Sequence, residues 1–218
     1  MSDFAAARFH MVECQIRPNK VTDHRLVDAL MDVPREVFVP QALRGVAYVD
    51  GDLAVARGRY LLEPMLFARM LQEAGVDETA KVLDIGCATG YSTAVLARMA
   101  DSVVGVEADA GLAAAAKDAL AQAGANNATV INAPLGEGYA AGAPYDVIIF
   151  EGAVAEVPQA VCGQLAEGGR LIATVLGERG LGEVRLYQRY GRAVSSRVLF
   201  EAQPHLLPGF EPKPKFEF

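Results

Sequence analysis

Between Lys81 and Glu107 the chain reads Lys-Val-Leu-Asp-Ile-Gly-Cys-Ala-Thr-Gly-Tyr, then a helix-like segment, then Val-Val-Gly-Val-Glu. No other stretch restricts the fold as much. Val82 to Ile85 has the character of a buried strand, and Gly86-Cys87-Ala88-Thr89-Gly90 is the sharp turn after it. Tyr91 to Met99 opens a helix, with Tyr91, Ala94, Val95, Leu96 and Met99 at helical apolar spacing. Glycines in such a turn let a ligand approach the backbone, and free N–H groups there favour acceptor or anionic groups. The next strand, Ser102 to Glu107, ends on an acid. In folds of this kind a carboxylate at that place accepts hydrogen bonds from both ribose hydroxyls. The stretch therefore predicts a nucleoside site; without a ligand it reads as a tight turn in an α/β protein.

The spacing of the glycines separates one nucleotide from another. A dinucleotide fingerprint needs Gly-x-Gly-x-x-Gly. Here Ala88 holds the second place and Tyr91 the third, which argues against NAD. Asp84-x-Gly86-x-x-x-Gly90 followed by Glu107 resembles the S-adenosylmethionine pattern of class I methyltransferases.

The remaining chain extends the same alternation. Asp3 to Ile16 is expected to form a first helix, with Phe4, Ala7, Met11 and Ile16 on one side. Thr22 or Asp23 is expected to cap a second helix through Met31, burying Leu26, Ala29 and Leu30. Val33-Pro34-Arg35-Glu36 stops that helix. Tyr48 to Leu62 reads as extended or loop-like, and Pro64 to Ala74 as a helix. After Glu107 come a helix over Ala110 to Ala123, a strand over Thr129 to Asn132 and a central apolar strand over Tyr145 to Phe150. A helix over Val157 to Leu165 and a strand over Arg170 to Val175 follow. Val184 to Tyr190 and Ala193 to Phe200 read as a hairpin turned at Gly191. This pattern predicts a Rossmann-like, doubly wound α/β fold. Its seven-stranded sheet is mostly parallel, with an antiparallel C-terminal edge and an N-terminal helical extension. The expected divisions are an extension over 1–78, a nucleotide domain over 79–203 and a tail over 204–218. The tail carries four prolines with Phe210, Phe216 and Phe218, and is expected to pack on the body or to bind a partner.

Composition narrows the function classes. The chain has 218 residues, 52% of them apolar, enough for a substantial core. A net charge of −7 without a basic counter-patch offers no field for nucleic acid or anionic membrane. No apolar run is long enough to span a bilayer, and no leader is expected at the start. Cys14, Cys87 and Cys162 form neither a metal pattern nor an even disulfide set, so a reducing cytoplasm is the simplest setting. Cys14 and Cys162 are expected in the core and Cys87 in the turn. His10, His24 and His205 lie far apart, and no metal site is expected.

The segment before the nucleotide strand is the more specific part of the chain. Met11-Val12-x-x-Gln15-Ile16, Val21-x-Asp23, Val33-Pro34-Arg35-Glu36-x-Phe38-Val39-Pro40 and Ala47-Tyr48-x-Asp50 resemble the protein-L-isoaspartate O-methyltransferase family. The resemblance continues through Leu53, Gly58, Pro64, Ala143-Pro144-Tyr145-Asp146, Val157-Pro158 and Gln164-Leu165-x-x-Gly168-Gly169-Arg170-Leu171. It covers about residues 11 to 175. It implies a cytoplasmic enzyme that binds S-adenosylmethionine and methylates the carboxylate of isoaspartyl residues in damaged proteins. The implied cofactor contacts fall on Asp84, Gly86, Cys87, Ala88, Thr89, Gly90, Glu107, Asn132, Pro134 and Leu135.

Against that pattern three places differ. After Gly58 the family reads Gln-Thr-Ile-Ser-Gln, and this chain reads Arg59-Tyr60-Leu61-Leu62-Glu63. The family serine that lies by the reacting carboxylate falls on Leu62. The family Gly-Asp-Gly, whose aspartate meets the adenine amine, falls on Ala133-Pro134-Leu135, where proline has no side-chain acceptor. Asn132 is the candidate replacement. The Thr-Ala-Ala-like stretch after the fourth strand is Glu151-Gly152-Ala153. Arg59 and Tyr60, with Leu62, are the candidates for the acceptor side, and Arg57 and Arg59 can clamp a carboxylate or phosphate. Glu63 reads as a helix N-terminal charge or an acceptor-site carboxylate. Three readings follow: an isoaspartyl methyltransferase weakened at the acceptor, the same fold acting on another carboxylate, or a cofactor-binding protein that works by interaction.

Overall fold

The computed structural model describes residues 3–177 and 181–212; Phe216 and Phe218 of the tail lie outside them. Helix α1 (Phe4–Met11) is capped by the Asp3 carboxylate, which accepts from the Ala6 amide at 3.0 Å. The expected helix to Ile16 changes winding on the way. Val12–Ile16 is a π-helix and Arg17–Asn19 a 3-10 turn, while Met11, Val12 and Ile16 stay buried. Asp23 rather than Thr22 caps α2 (His24–Asp32), accepting from the Arg25 and Leu26 amides. Leu26, Val27, Ala29 and Leu30 form its buried face.

The extended stretch before Pro64 is a small antiparallel hairpin, β1 (Leu53–Ala56) and β2 (Arg59–Leu61), with Leu53 opposite Leu61 and Ala54 opposite Tyr60. Helix α3 (Pro64–Ala74) starts on a proline, whose missing N–H is no loss there, and ends on Gly75 in the left-handed region.

The alternation then runs β3 (Lys81–Ile85), α4 (Tyr91–Ala97), β4 (Ser102–Glu107), α5 (Ala110–Gln122), β5 (Ala128–Asn132), β6 (Tyr145–Val154), α6 (Gln159–Cys162), β7 (Leu165–Leu176), β8 (Gly182–Tyr190) and β9 (Ala193–Glu201). The sheet order is β5-β4-β3-β6-β7-β8-β9. Pairing is parallel from β5 to β7 and antiparallel from β7 to β9. This is the expected seven-stranded, Rossmann-like sheet with its antiparallel edge.

Both faces of the sheet are covered, which is why the central strands read as unbroken apolar runs. Val82 joins a core that also takes in Ile16, Leu30, Phe67 and Leu71 from the N-terminal segment. Leu83 and Ile85 face a second core with Tyr145, Phe150 and Leu165.

Three expectations need correction. β6 does not end at Phe150; it runs on to Val154, so Glu151-Gly152-Ala153 lies within the strand. The helix expected over Val157 to Leu165 is a single turn, Gln159–Cys162, starting after Pro158 and ending at Gly163. The Gln164 side chain beyond it is spent tying Tyr139 N and Glu137 O. Cys14 is exposed rather than in the core, because the π-helical turn rotates it outward; Cys87 is buried and Cys162 half-buried.

Candidate active site at the centre of the sheet

β3 leads outward through α4 to β4, whereas β6 leads the opposite way to β7. The carboxyl ends of β3 and β6 therefore flank the switch-point crevice, where open parallel sheets receive ligands. The floor of this crevice is the predicted glycine turn. Gly86 (φ 83°) and Gly90 (φ 92°) take left-handed conformations that a side chain resists, and Ala88 is held at φ 48°. A non-glycine residue there stores about 1–3 kcal/mol of strain, a feature that clusters at ligand sites.

Four of the turn's five amides are already engaged, contrary to expectation. Gly86 and Cys87 N–H donate to Val106 O, Gly90 N–H to Cys87 O, and Ala88 N–H to Glu107 Oε2 at 2.8 Å. Close approach at Gly86, more than donated hydrogen bonds, is what the turn offers. Thr89 donates its hydroxyl to Phe38 O at 2.5 Å, tying the turn to the Val-Pro-Arg-Glu-x-Phe segment.

Two acids sit beneath the turn. Asp84 is fully buried, and its Oδ2 accepts from Ser92 Oγ at 2.7 Å and Thr93 Oγ1 at 2.5 Å. Burial pushes its carboxyl up to about 6; the two hydroxyls pull the other way. Glu107 is 1% exposed, with Oε1 taken by Asp109 N and Oε2 shared between Ala88 N and an arginine. A third acid, Glu151 on β6, is buried, and desolvation first, then the Asp84 charge, raises its carboxyl well above the ordinary range. Burial likewise lifts the Cys87 thiol.

The arginine is Arg59. Its guanidinium reaches in from the hairpin, 2.7 Å from Glu107 Oε2 and 2.7 Å from Gly86 O, and is 5% exposed. Above Gly86 sits Leu207 of the tail. A Cβ placed on Gly86 would meet Leu207 Cδ2 at 2.8 Å and Arg59 Nη2 at 3.2 Å; one on Gly152 would meet Leu207 Cγ at 2.8 Å. Leu207 is thus wedged between the ends of β3 and β6. Ala153 N donates to His205 O and Leu207 N to Ala153 O, both at 2.9 Å. The His205 ring stacks on Tyr60 at 3.6 Å, and His205 Nδ1 lies 3.0 Å from Asp52 Oδ2. The void left among Arg35, Tyr60, Leu62, Gly86, Tyr91 and Glu151 is ≈ 10 Å³, room for about one water.

Set against the sequence expectations, Asp84, Gly86, Cys87, Ala88, Thr89, Gly90 and Glu107 form one site. Asn132 lies beside it, but its amide donates to Glu107 O and Ala108 O and holds the loop after β4. Pro134 is exposed at the start of a 3-10 turn, and Leu135 is buried in the second core. Arg59 meets the nucleotide acid, and Arg57 stays exposed. Leu62 is buried, and its carbonyl accepts from Arg35 Nη2 at 2.8 Å. Glu63 precedes α3 without capping it by its side chain, and burial beside Asp52 raises its carboxyl. Sequence reasoning missed Leu207, His205 and the buried Arg35. Arg35 also binds Ala47 O and lies 4.5 Å from the Tyr91 ring centre. The tail residues carry no periodic signal; the bridge to β6 and the contacts of His205 with Tyr60 and Asp52 bring them here.

Comparison with known proteins gives a consistent result. The family model for protein-L-isoaspartate(D-aspartate) O-methyltransferase matches residues 7–200. A protein-L-isoaspartate O-methyltransferase of Methanoculleus marisnigri is 38% identical over 185 residues, 85% of this chain and 84% of that protein. One from Methylorubrum extorquens is 37% identical over 86% of this chain and 82% of that protein. A solved protein-L-isoaspartate O-methyltransferase superposes with a TM-score of 0.81 at 26% identity, covering 93% of this chain and 66% of that one. A Plasmodium falciparum structure, described as a candidate enzyme of the same kind in complex with S-adenosyl-L-homocysteine, superposes with a TM-score of 0.76. It is 16% identical and shares the fold, over 94% of this chain and 98% of that one.

Proposed function

The chain belongs to the protein-L-isoaspartate(D-aspartate) O-methyltransferase family, and from that premise we propose that it methylates the side-chain carboxylate of isoaspartyl residues at the crevice between β3 and β6. The family's methyl donor is S-adenosylmethionine, which supplies a methyl group on an electrophilic sulfonium. The acid set suits it: Glu107 stands where a ribose is held, Gly86 permits close approach, and Asp84 Oδ1 and Glu151 Oε1 are buried without a hydrogen-bond partner among the described residues. The observation that carries the reading is the buried Glu107 carboxylate facing the Gly86 turn at the switch point.

The acceptor needs no general base, since a carboxyl with pKa ~4 is already ionised near neutrality. What the protein supplies is alignment and a dry site. Here Leu62 stands where the family has a hydroxyl, and Arg59 and Tyr60 stand beside it. We read residues 1–78 as the extension that carries this acceptor loop. The three free cysteines support a reducing, cytoplasmic setting. Among the described residues no helix is long and apolar enough to cross a membrane.

Labelled methyl transfer to an isoaspartyl peptide, with the aspartyl isomer as control, tests the proposal. Turnover on the isoaspartyl peptide alone is expected, with kcat/KM below that of a serine-bearing relative by about 10- to 150-fold, the value of one hydrogen bond to a charged oxygen. Equal labelling of both peptides, or of neither, would remove isoaspartate as the acceptor.

A further inference from the structure

We propose that Arg59 and Leu207 are the protein's own occupants of the cofactor seat, and that the β1–β2 hairpin and the tail form a gate that must open for the cofactor to enter. The inference rests on the function proposed above. Its first support is steric. The guanidinium of Arg59 sits on the carboxylate that would take the ribose hydroxyls, and Leu207 covers the one glycine that allows close approach. With a void of ≈ 10 Å³, the crevice has no room for a nucleoside beside them.

The second support is that the contacts are built to part. Glu107 keeps two backbone donors, Ala88 N and Asp109 N, when Arg59 leaves. Arg59 Nε has no hydrogen-bond partner among the described residues, so the arginine is held by one nitrogen only, Nη2. The hairpin has strands of four and three residues with a register shift, too small to be rigid alone. The tail is tied to the end of β6 and the residue after it by three backbone hydrogen bonds, at Ala153 N, Ala153 O and Ala155 N. The His205 side chain is 52% exposed, so the tail lifts from that edge, uncovering Leu207 and Phe210 as it goes. The Tyr60–His205 stack and the His205–Asp52 contact couple the two covers. One motion therefore frees both the ribose acid and the Gly86 approach.

A self-filled site reduces apparent affinity by the fraction of time it is open. The test is calorimetric titration of S-adenosylhomocysteine into the full chain, for wild type, Arg59→Gln and Leu207→Ala, with circular dichroism confirming that each is folded. Both variants are expected to bind more tightly than wild type, Arg59→Gln by about 10-fold or more. Leu207→Ala keeps the ion pair and so stands in for Arg59→Gln if that variant does not fold. In wild type, saturating ligand is expected to speed amide hydrogen exchange at Ala153 and Leu207, the reverse of ordinary ligand protection. If the folded variants bind no tighter than wild type, or those two amides gain protection, the gate is overturned while cofactor binding stands. If wild type and variants alike give no binding, the cofactor reading and the gate fall together.

Discussion

The floor and the cover of the crevice are built on opposite principles. The floor, from Asp84 to Glu107, is contiguous in sequence and closes on itself. Strand, turn, helix and strand satisfy one another through Val106 O, Glu107 and the Ser92 and Thr93 hydroxyls. The cover is assembled from 59–62 and 203–210, held by the Arg59–Glu107 pair, the Tyr60–His205 stack, backbone hydrogen bonds at Ala153 and Ala155, and the packing of Phe210 on Phe150. A locally closed element stays in place when its neighbours move, whereas one held by a few distant contacts can open independently. The difference assigns rigidity to the glycine-turn floor and motion to the hairpin-and-tail cover.

The most severe way to break this comparison is to remove the carboxylate that joins the two parts. Glu107→Ala takes the acceptor from Ala88 N and Asp109 N as well as the counter-ion from Arg59, and a loss of about 2–4 kcal/mol is expected in urea unfolding. A loss under about 1 kcal/mol would mean that Ala88 N and Asp109 N find other partners and that the floor is not closed on Glu107.

Smaller and pH-dependent is the effect of Glu151→Gln. A buried acid whose carboxyl is raised holds its proton in the folded state where the unfolded chain has lost it. Its contribution is therefore complete below the unfolded value of 4.5 and disappears as pH rises toward its folded value. Across that window wild type loses about 1.4 kcal/mol of stability per pH unit for each such proton. Asp84 contributes the same way up to about 6. Glu151→Gln should therefore flatten part of the decline that begins as pH rises through 4.5. Parallel stability curves for wild type and variant as pH rises from 4.5 would show that the Glu151 carboxyl is not raised and that the floor is wetter than its burial indicates.

The mildest change tests the cover by itself. His205→Ala removes the stack on Tyr60 and the Asp52 contact at the solvent edge. It should lower global stability by no more than about 0.5–1.5 kcal/mol. Amide exchange in 203–210 should accelerate while that in β3 and β4 stays unchanged. Acceleration spreading into β3 would show floor and cover to be one cooperative unit.

The elements legible in the sequence are those whose signal is local. A cap on α2 at Thr22 or Asp23, Pro64 opening α3, the glycine turn between β3 and α4, the acid ending β4 and the hairpin turned at Gly191 all follow from residues a few positions apart. Periodicity and backbone preference act over that range. The helix after Pro158 is shorter than its apolar stretch predicts, because Gln164 is drawn off to bind Tyr139 and Glu137.

By itself, then, the sequence determined the doubly wound sheet, the glycine-turn floor that brings Asp84, Gly86 and Glu107 together, and the departures of the 59–63 loop from its family. Only the tertiary structure decided that Arg59 pairs with Glu107 across 48 positions, that Leu207 fills the space above Gly86, and that His205 stacks on Tyr60. The physical reason is one of range. A turn or a cap is stabilised by atoms its own residues carry, while a buried arginine finds its carboxylate only after the sheet has placed two distant ends side by side.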